Sequence, residues 1–259
     1  MLIEVRDLQV VVDKKLLLSD ISFSVQAGEH LCITGPNGAG KSTLLRTLNA
    51  MMVISHGQIL LQQKPLNRYA QKHIARLVSY VPQNSGRALA FVVEDFLRMA
   101  RYPHLQWLGS WQTADQQALD NALTITGCQQ FRHRQMSTLS GGECQKVMIA
   151  AALAQDTPVI LLDEPTSSLD PHHQTEVQKL IKTLHHKHGK TIIEVSHDIN
   201  HVSQHADRVL ALKNGRLLWL GPADQFLDEQ RLQDLYQQDF VFVAHPQSGR
   251  NVALTANLL

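Results

Sequence analysis

The chain has 259 residues, of which 44% are hydrophobic, enough for one large domain or two small ones with a buried core. Its 24 Lys and Arg against 23 Asp and Glu give a net charge of +1, so there is no electrostatic basis for binding nucleic acid or an acidic membrane surface. Three scattered cysteines suit a reducing compartment. No apolar run approaches the ~18 residues of a membrane-spanning helix, so we expect a soluble chain that meets a membrane only through another chain.

The first part of the chain has the pattern of β-strands. Residues 2–5, 9–12 and 21–25 alternate between apolar and polar side chains, which predicts three short strands. Residues 26–29 have the composition of a turn, and the apolar run at 30–34 then predicts a buried strand. This buried strand leads directly into the most informative stretch of the chain.

Residues 35–43 fit G-x-x-x-x-G-K-[ST], the phosphate-binding loop. Glycines let the backbone curl so that successive N–H groups point at phosphate oxygens, and the following helix adds the positive end of its dipole. Lys41 can reach the β- and γ-phosphates as a point charge, and the Ser42 hydroxyl can ligate Mg²⁺. The sequence therefore predicts nucleotide binding by Gly35, Pro36, Asn37, Gly38, Ala39, Gly40, Lys41, Ser42 and Thr43.

The middle of the chain changes from a mixed pattern to a helical one. A helix is predicted at 69–77, between strands at 57–62 and 78–81. From about residue 92 to residue 155 the apolar spacing is mostly helical, which predicts a helical insertion in an α/β domain. The helices predicted there are residues 92–101, a helix around residues 118–123, and residues 142–155.

The α/β pattern returns in the C-terminal part. The continuous apolar run 158–163 is typical of a central parallel strand, and residues 172–187 have the spacing of an amphipathic helix. The later predictions are a strand at 191–196, a hairpin of strands 208–213 and 216–220, two short helices in 222–237 and a hairpin in 240–254. The predicted domains are a discontinuous ATP-binding core with an N-terminal β subdomain at 1–84 and 157–238, a helical subdomain at 85–156 and a C-terminal hairpin or tail at 239–259.

Two carboxylates stand at the end of the apolar strand, Asp163 and Glu164. In an open parallel sheet the carboxyl edge is where ligands bind. One carboxylate there can hold Mg²⁺ through water, and a second can polarise an attacking water. Together with a phosphate loop in the same chain, the pair predicts a site for an Mg-nucleotide.

Residues 139–143, Leu-Ser-Gly-Gly-Glu, predict a second anion-binding helix end. Ser140 can cap the N-terminus of a helix, while Gly141 and Gly142 leave its N–H groups exposed. One chain with two phosphate-binding helix ends makes physical sense if each end serves a different protomer.

Together these motifs resemble the ATP-binding cassette (ABC) family over about residues 2–220, and they follow the family's order. Residues 35–42 resemble its Walker A motif, Gln83 its Q-loop glutamine, 139–143 its signature motif, 159–164 its Walker B motif, 168–170 its D-loop and His197 its switch histidine. The resemblance implies the fold class: an α/β P-loop NTPase (ABC ATPase) core with a mixed sheet, an antiparallel β subdomain and an inserted helical subdomain.

The resemblance also implies that two copies pair head to tail, with each ATP between the phosphate loop of one copy and the signature motif of the other. Glu164 would act as general base or orient the water, His197 would contact the γ-phosphate, and Gln83 would sense Mg²⁺. The implied catalytic residues are Glu164, His197, Gln83 and Lys41. ATP would further meet Ser140, Gly141, Gly142 and Asp170, and Mg²⁺ would be held by Ser42, Gln83 and Asp163.

Two positions depart from the family's pattern. Glu143 replaces the usual glutamine at the fifth signature position, a variant that resembles importer ATPases. Val12 stands where the family commonly stacks an aromatic ring on adenine. Stacking on an aromatic is worth ~1–3 kcal/mol per base, so we expect weaker ATP affinity or weaker base selectivity.

Residues 100–104, Ala-Arg-Tyr-Pro-His, resemble a stretch of the ATPases that serve iron-chelate, haem and cobalamin importers, with alanine in place of the group's usual glycine. Residues 243–250 resemble the C-terminal hairpin of that group. The resemblance implies an ATPase that powers import of an iron chelate (siderophore), with haem and cobalamin as alternatives. Residues 84–110 would then form a groove for a helix of the membrane partner, with Trp107 or Trp111 at its rim.

The implied partners are integral-membrane permease subunits, a second copy of the chain and, indirectly, a substrate-binding protein, but no nucleic acid. The implied location is peripheral, on the cytoplasmic face of the inner membrane.

An alternative function of another class is a soluble cassette that acts as a nucleotide switch in cofactor assembly. A phosphate-loop kinase would leave residues 139–143 and His197 unexplained. We interpret the histidines between residues 172 and 188 as a solvated helix surface rather than a metal site.

Overall fold

The computed structural model describes residues 1–83, 90–105, 110–246 and 249–256. The chain divides into two compact units. The N/C unit is made of residues 1–66 with 193–259, and the central unit of residues 67–192. In the described ranges no helix is both long enough and apolar enough to cross a membrane.

Most of the secondary structure follows the predicted order, but the strand at residues 64–65 and the helix at residues 199–205 were not predicted. The strands are β1 (Ile3–Val12), β2 (Lys15–Val25), β3 (His30–Thr34), β4 (His56–Leu61), β5 (Lys64–Pro65), β6 (Val78–Val81), β7 (Val159–Asp163), β8 (Thr191–Val195), β9 (Arg208–Lys213), β10 (Arg216–Pro222), β11 (Phe240–Ala244) and β12 (Asn251–Thr255). The α-helices are α1 (Lys41–Leu48), α2 (Gln71–Ile74), α3 (Val93–Ala100), α4 (Thr113–Thr126), α5 (Gly141–Ala154), α6 (Pro171–His186), α7 (Ile199–His205) and α8 (Glu229–Tyr236).

The N/C unit begins with an antiparallel sheet in the order β2-β1-β4-β5. The prediction of three short strands before residue 26 is wrong, because β1 and β2 are two long strands that pair along their length. Their register shifts near Asp7 and Asp20, which adopt left-handed backbone conformations with φ of 47° and 56°. Aspartate tolerates this conformation, so each strand continues through a bulge where the apolar alternation breaks.

The N/C unit also contains a mixed sheet, in which β3 pairs in parallel with β9 and β9 pairs antiparallel with β10. The β9–β10 turn is Asn214-Gly215, and φ is positive at both (50° and 74°), as the predicted tight hairpin requires. The terminal strands β11 and β12 form an antiparallel hairpin. Phe240 and Ala253 anchor this hairpin in an apolar cluster with Phe226.

The central unit pairs β6 with β7 in parallel, with Val78 opposite Val159. α5 carries a run of small residues, Ala150 to Ala152, so neighbouring elements approach it closely and it is buried on most sides. The two strands and the helices α3 to α6 share one core. Its larger members are Val81, Val93, Leu97, Leu119, Leu123, Val147, Ile149, Ile160, Leu162, Val177, Ile181 and Leu184.

One predicted helix is much shorter than expected. The helix predicted at 69–77 is reduced to the single turn α2. The Leu77 carbonyl accepts a hydrogen bond from Val159 N at 3.1 Å, so the chain has already joined the strand ladder at that residue.

The mixed sheet, the antiparallel sheet and the helical segment confirm the predicted fold class. The predicted domain boundaries stay a prediction, since the two units divide the chain elsewhere.

Candidate nucleotide-binding site

The predicted phosphate loop is a tight turn between β3 and α1. Gly35 has φ of 141°, and a Cβ on it would lie 2.0 Å from the Leu212 carbonyl oxygen. Gly40, the N-cap of α1, has φ of 100°, and its Cβ would lie 2.7 Å from Leu18 Cδ2. Any other residue would be strained both by its backbone and by its surroundings. The local fold therefore requires glycine at both ends of this loop.

Lys41 folds its side chain back under the loop. Its Nζ donates to the carbonyl oxygens of Gly35 (2.8 Å) and Pro36 (2.9 Å), and the residue is only 6% exposed. Ser42 follows it in the first turn of α1 and is half-buried. α1 begins without a side-chain cap, as expected for a helix end whose N–H groups serve a ligand.

His197 lies at the edge where the loop begins. Ser196 N, directly after β8, donates to the Ile33 carbonyl of β3 at 3.1 Å, so these two strands end side by side. His197 is exposed in the connection to α7, one residue before the helix cap Asp198. The predicted switch histidine and the phosphate loop therefore leave the sheet of the N/C unit at one edge.

Gln83 and Glu164 are in direct contact in the central unit. Gln83 Nε2 donates to Glu164 Oε2 at 2.6 Å and also reaches Ser167 Oγ at 3.4 Å. Glu164 has φ of 50°, which turns the chain at the end of β7. The structure thus brings together two predicted site residues, and it adds Ser167, which sequence reasoning missed. The predicted groove residues 84–89, directly after Gln83, lie outside the described residues.

Asp163, the last residue of β7, is 1% exposed and accepts a hydrogen bond from the Tyr80 hydroxyl at 3.0 Å. Tyr80 was not among the predicted site residues. Its signal is its place on β6, the strand that pairs with β7 and leads to Gln83. A buried carboxylate whose orientation is fixed by a hydroxyl suits coordination of Mg²⁺ through water.

The start of α5 has the cap that the signature motif predicts. Ser140 Oγ accepts from Glu143 N (3.2 Å), and Glu143 Oε2 accepts from Ser140 N (2.7 Å), which is a reciprocal capping box. The hydrogen bond from the Ser140 backbone N–H holds the pKa of Glu143 below its ordinary value, and Arg134 lies 3.6 Å from the other oxygen. Glu143 therefore completes the capping box at the start of α5.

Asp170 caps α6 and is exposed. Its Oδ1 accepts from His172 N (3.0 Å) and His173 N (3.1 Å), and its Oδ2 lies 2.5 Å from His173 Nδ1. The hydrogen bond from the His173 side chain lowers the pKa of Asp170.

Among the histidines expected on a solvated helix surface, His185 is instead buried. In the described part of the chain no group of three or more His, Cys, Asp or Glu side chains could hold a metal ion.

Arg101 binds the far end of α5. It is 6% exposed, and its Nε and Nη2 donate to Asp115 Oδ1 at 3.0 and 2.9 Å. Its Nη1 donates to the Ala154 carbonyl at 2.9 Å, close to where α5 ends. This buried pair therefore ties the first turn of α4 to the last turn of the helix that begins with the signature motif.

The rest of the 100–104 stretch divides between the interior and the surface. His104 Nε2 contacts the Gln155 carbonyl at 2.8 Å, while Tyr102 is 69% exposed. Trp111, predicted at the rim of a groove, is half-buried against the core of the central unit and donates to Gln116 Oε1 at 3.1 Å. The other predicted rim residue, Trp107, lies outside the described residues.

Val12 lies at the exposed end of β1, where the resemblance predicts adenine. It is 38% exposed, with Val11 and Leu16 exposed beside it on the β1–β2 hairpin. Asp13, Lys14 and Lys15 are exposed there as well, and the hairpin tip at residues 11–16 carries no aromatic ring.

A glycine loop with a buried lysine, a carboxylate pair at a strand end and a second capped helix end define a phosphate-loop ATPase. The model of the family described as "ABC transporter" matches residues 18–167, and the chain belongs to this family. It is 37% identical to the petrobactin import ATP-binding protein FpuC of Bacillus anthracis, over 86% of this chain and 82% of that protein. It is 34% identical to the iron(3+)-hydroxamate import ATP-binding protein FhuC of Bacillus subtilis, over 95% and 91%.

Solved structures agree with this family. One is described as an inward-facing conformation of a metal-chelate type ABC transporter; it has a TM-score of 0.85 and 27% identity and covers 100% of this chain and 99% of that one. A dimeric ATP-binding cassette, MJ0796 bound to ADP and Pi, has a TM-score of 0.74 at 24% identity, over 85% and 98%, and supports the fold alone. As a member of this family, the protein is an ATP-binding ATPase coupled to transport.

Proposed function

We propose that this protein powers an importer for an iron chelate, and that it hydrolyses ATP as a head-to-tail dimer. The observation that carries the proposal is that one chain has two helix ends prepared for phosphate, α1 behind the glycine loop and α5 behind Ser140. One bound nucleotide needs only one helix end in its own chain. Two ends are explained if each ATP lies between α1 of one copy and α5 of the other.

The residues present fit Mg²⁺ as the ion that accompanies ATP. The Ser42 hydroxyl, the Gln83 amide and the Asp163 carboxylate offer the oxygen ligands that Mg²⁺ prefers. Bound there, the ion would neutralise phosphate charge during transfer. Tyr80 supports this assignment because it fixes the carboxylate of the buried Asp163 through a hydrogen bond of 3.0 Å.

The chain's own groups then divide the work of hydrolysis. Glu164 orients the attacking water or accepts its proton, and the hydrogen bond from Gln83 holds its carboxylate at the end of β7. Lys41 neutralises charge on the β- and γ-phosphates, and His197 contacts the γ-phosphate. This is the division expected for phosphoryl transfer, in which positioning and charge neutralisation do most of the work.

The segment 90–105 is the proposed docking surface for the permease. Its exposed large apolar side chains are Phe91 (42%), Met99 (46%) and Tyr102 (69%). We expect them to pack against a cytoplasmic helix of the membrane partner. Arg101 lies beside Tyr102 and binds the end of α5, so this surface is connected to the helix of the signature motif.

The cargo is assigned from the relatives. FpuC and FhuC are named for import of petrobactin and of iron(3+)-hydroxamate. These names favour an iron chelate over haem or cobalamin. The protein would then act at the cytoplasmic face of the membrane, with a substrate-binding protein delivering the chelate on the other side. The alternative of another class is a soluble nucleotide switch in cofactor assembly.

The first test is size exclusion of Glu164→Gln with and without Mg-ATP, beside the hydrolysis rate of the wild type. We expect ATP to trap the variant as a dimer and its turnover to fall by about 10²–10³-fold. A variant that stays monomeric and hydrolyses ATP normally would show that Glu164 is misassigned.

Capture of detergent-solubilised membranes on the tagged wild type distinguishes the importer from the soluble switch. Recovery of a polytopic membrane protein, lost when Tyr102 and Met99 are both changed to aspartate, supports the importer. Recovery of only a soluble scaffold protein supports the switch.

A further inference from the structure

His173 lies between two motifs that face the second copy in the proposed dimer. Its Nδ1 is 2.5 Å from Asp170 Oδ2 in the D-loop, and its backbone N–H donates to Asp170 Oδ1 at 3.1 Å. The hydrogen bond with the His173 side chain lowers the pKa of Asp170, so the carboxylate is ionised at neutral pH and can only accept. Nδ1 of His173 is therefore the donor, and the ring is held in one orientation.

The imidazole ring packs directly on Gly142 of the signature motif. A Cβ on Gly142 would lie 2.0 Å from His173 Cδ2 and 2.3 Å from Cγ. Gly142 lies within α5 and, unlike Gly35 and Gly40, does not have a positive φ. The structural need for glycine at this signature position therefore comes from the His173 ring and not from the backbone conformation.

A second contact joins the same helices one turn further along. Lys146 Nζ of α5 lies 3.1 Å from Glu176 Oε2 of α6. This partly exposed pair holds α5 near α6 and includes neither Gly142 nor Asp170. The general packing of the two helices therefore has support that does not involve His173.

We propose that His173 is a positioning residue for ATP hydrolysis, which fixes the N-terminal end of α5 relative to Asp170 by packing on Gly142 and by donating to the carboxylate. The inference rests on the proposed function, because it assumes that both motifs act on ATP bound by the other copy. Displacing a positioning group by about 1 Å can cost about 10²-fold in rate. His173 therefore affects turnover and leaves the affinity of the chain's own phosphate loop unchanged.

Three substitutions separate the two contacts. His173→Ala removes both the ring and the donor, His173→Asn retains an N–H donor near the position of Nδ1, and His173→Phe retains a ring on Gly142 without the donor. Glu176→Gln is the matched control, since it weakens the other contact between the same helices. For each variant, kcat, KM and binding of a fluorescent ATP analogue are measured, together with melting temperature.

We expect His173→Ala to lower kcat by about tenfold or more, with KM and nucleotide affinity within about twofold of the wild type. His173→Asn and His173→Phe should each recover part of the rate, and Glu176→Gln should resemble the wild type. A wild-type kcat in His173→Ala overturns the inference, as does a parallel loss of kcat and nucleotide affinity. Equal loss in all three His173 variants also overturns it, because the imidazole would then be needed for more than position.

The Glu164→Gln background separates this inference from the proposed function. If ATP does not drive dimerisation even with His173 intact, both fail together. If ATP drives the dimer equally with His173 and with His173→Ala at every ATP concentration in this background, and kcat measured with Glu164 intact is also unchanged by His173→Ala, the proposed function stands and only the role of His173 is wrong.

Discussion

The two helix ends that face phosphate in the proposed mechanism are built in different ways. α1 follows a glycine loop, has no side-chain cap and has the Lys41 side chain buried under the loop. α5 begins with a complete capping box between Ser140 and Glu143, and its first turn contains no basic residue. The first end supplies its own positive charge, whereas the second offers backbone N–H groups beside a glutamate.

This difference predicts a division of roles. A helix end with its own lysine can hold a phosphate group without help from another chain. A helix end with a carboxylate in its first turn attracts a free anion less, because the negative charge of the carboxylate offsets the positive end of the helix dipole. We therefore expect α1 to determine nucleotide affinity and α5 to determine turnover once another copy presents its ATP.

The largest effect should follow from Lys41→Ala. Removal of the buried ammonium group should lower hydrolysis by about 10²–10³-fold and weaken ATP binding, because the developing phosphate charge loses its nearest cation. ATPase assays and titration with a fluorescent nucleotide measure the two effects. Lys41→Arg is the control: it keeps the charge, but its planar fork does not fit the two loop carbonyls. Wild-type affinity in Lys41→Ala would show that the loop amides suffice, and the contrast with α5 would then be lost.

The N/C unit buries two histidines with a carboxylate beside the phosphate-loop strand, and the central unit buries its own ion pair, Arg101 with Asp115. Glu194 of β8 is completely buried, its Oε2 lies 3.0 Å from His30 Nε2 of β3, and its Oε1 lies 3.7 Å from His201 Nε2. The charged pairs beside the signature motif, such as Glu143 with Arg134, are partly exposed. Buried charges depend on their partners far more than surface pairs do. We therefore expect the stability of the N/C unit to depend on pH.

The sign of this dependence follows from two opposite shifts. Burial opposes the ionisation of Glu194, but the hydrogen bond with His30 and the charge of His30 and His201 outweigh it and lower the pKa of Glu194 from 4.5 to about 2, so Glu194 stabilises the fold above pH 4.5 and loses this effect as pH falls through about 2. Glu194 and Asp198 raise the pKa of His201 above 6.5, although burial opposes this. His201 therefore stabilises below pH 6.5, and its effect is lost as pH rises through the raised value. Cys32 and His205 also face the cluster.

The second prediction is that Glu194→Gln lowers the free energy of unfolding near pH 6 by about 3 kcal/mol, since it leaves the buried histidines without their carboxylate. Urea unfolding between pH 5.5 and pH 9 measures it. The wild type should lose stability toward pH 9, and the variant should show a flatter profile. Glu176→Gln, which alters a partly exposed pair, should change stability by less than about 1 kcal/mol. Parallel pH profiles for wild type and Glu194→Gln would contradict the assignment.

A smaller effect is expected from Ser140→Ala at the start of α5. Loss of the cap costs about 1 kcal/mol and loosens the end of the helix, so kcat should fall by about tenfold while nucleotide affinity stays the same. Ser140→Asp is the matched control, because it restores a cap but adds negative charge where phosphate must approach. Recovered stability with low turnover is the expected result for Ser140→Asp. Full recovery of turnover would mean that the cap alone matters and that no phosphate contacts this residue.

The same contrast explains what could be predicted from the sequence. The phosphate loop and the signature motif were predictable because backbone geometry and capping fix the residue type at Gly35, Gly40 and Ser140. Tyr80 and His173 were missed because their roles depend on partners that only the fold supplies. Tyr80 meets Asp163 across 83 positions of sequence. The residues around His173 have the composition of an exposed helix surface. The packing of its ring on Gly142 becomes visible only in the fold, where a Cβ on Gly142 would overlap the ring.

The lengths of β1 and β2 were predicted wrongly for a related reason. Alternation of apolar and polar residues breaks at a bulge, and a reader of the sequence takes the break for a strand end. β1 and β2 continue because Asp7 and Asp20 accept a left-handed backbone, and the register on either side is restored by pairing. Such a bulge is visible only when both strands are known.

The smallest effect is expected at the adenine position. Val12→Tyr would place a ring at the exposed end of β1, and stacking of about 1 kcal/mol should tighten ATP binding by about fivefold with little change in kcat. Val12→Leu adds apolar volume without a ring and should leave affinity close to that of the wild type. Titration of both variants with ATP and with GTP measures the change in nucleotide affinity. The gain in affinity for Val12→Tyr should be larger for the nucleotide whose base stacks better on the ring. Equal affinity for Val12→Tyr and the wild type would show that the base is not read at the end of β1, and the affinity set by α1 would then come from the phosphates alone.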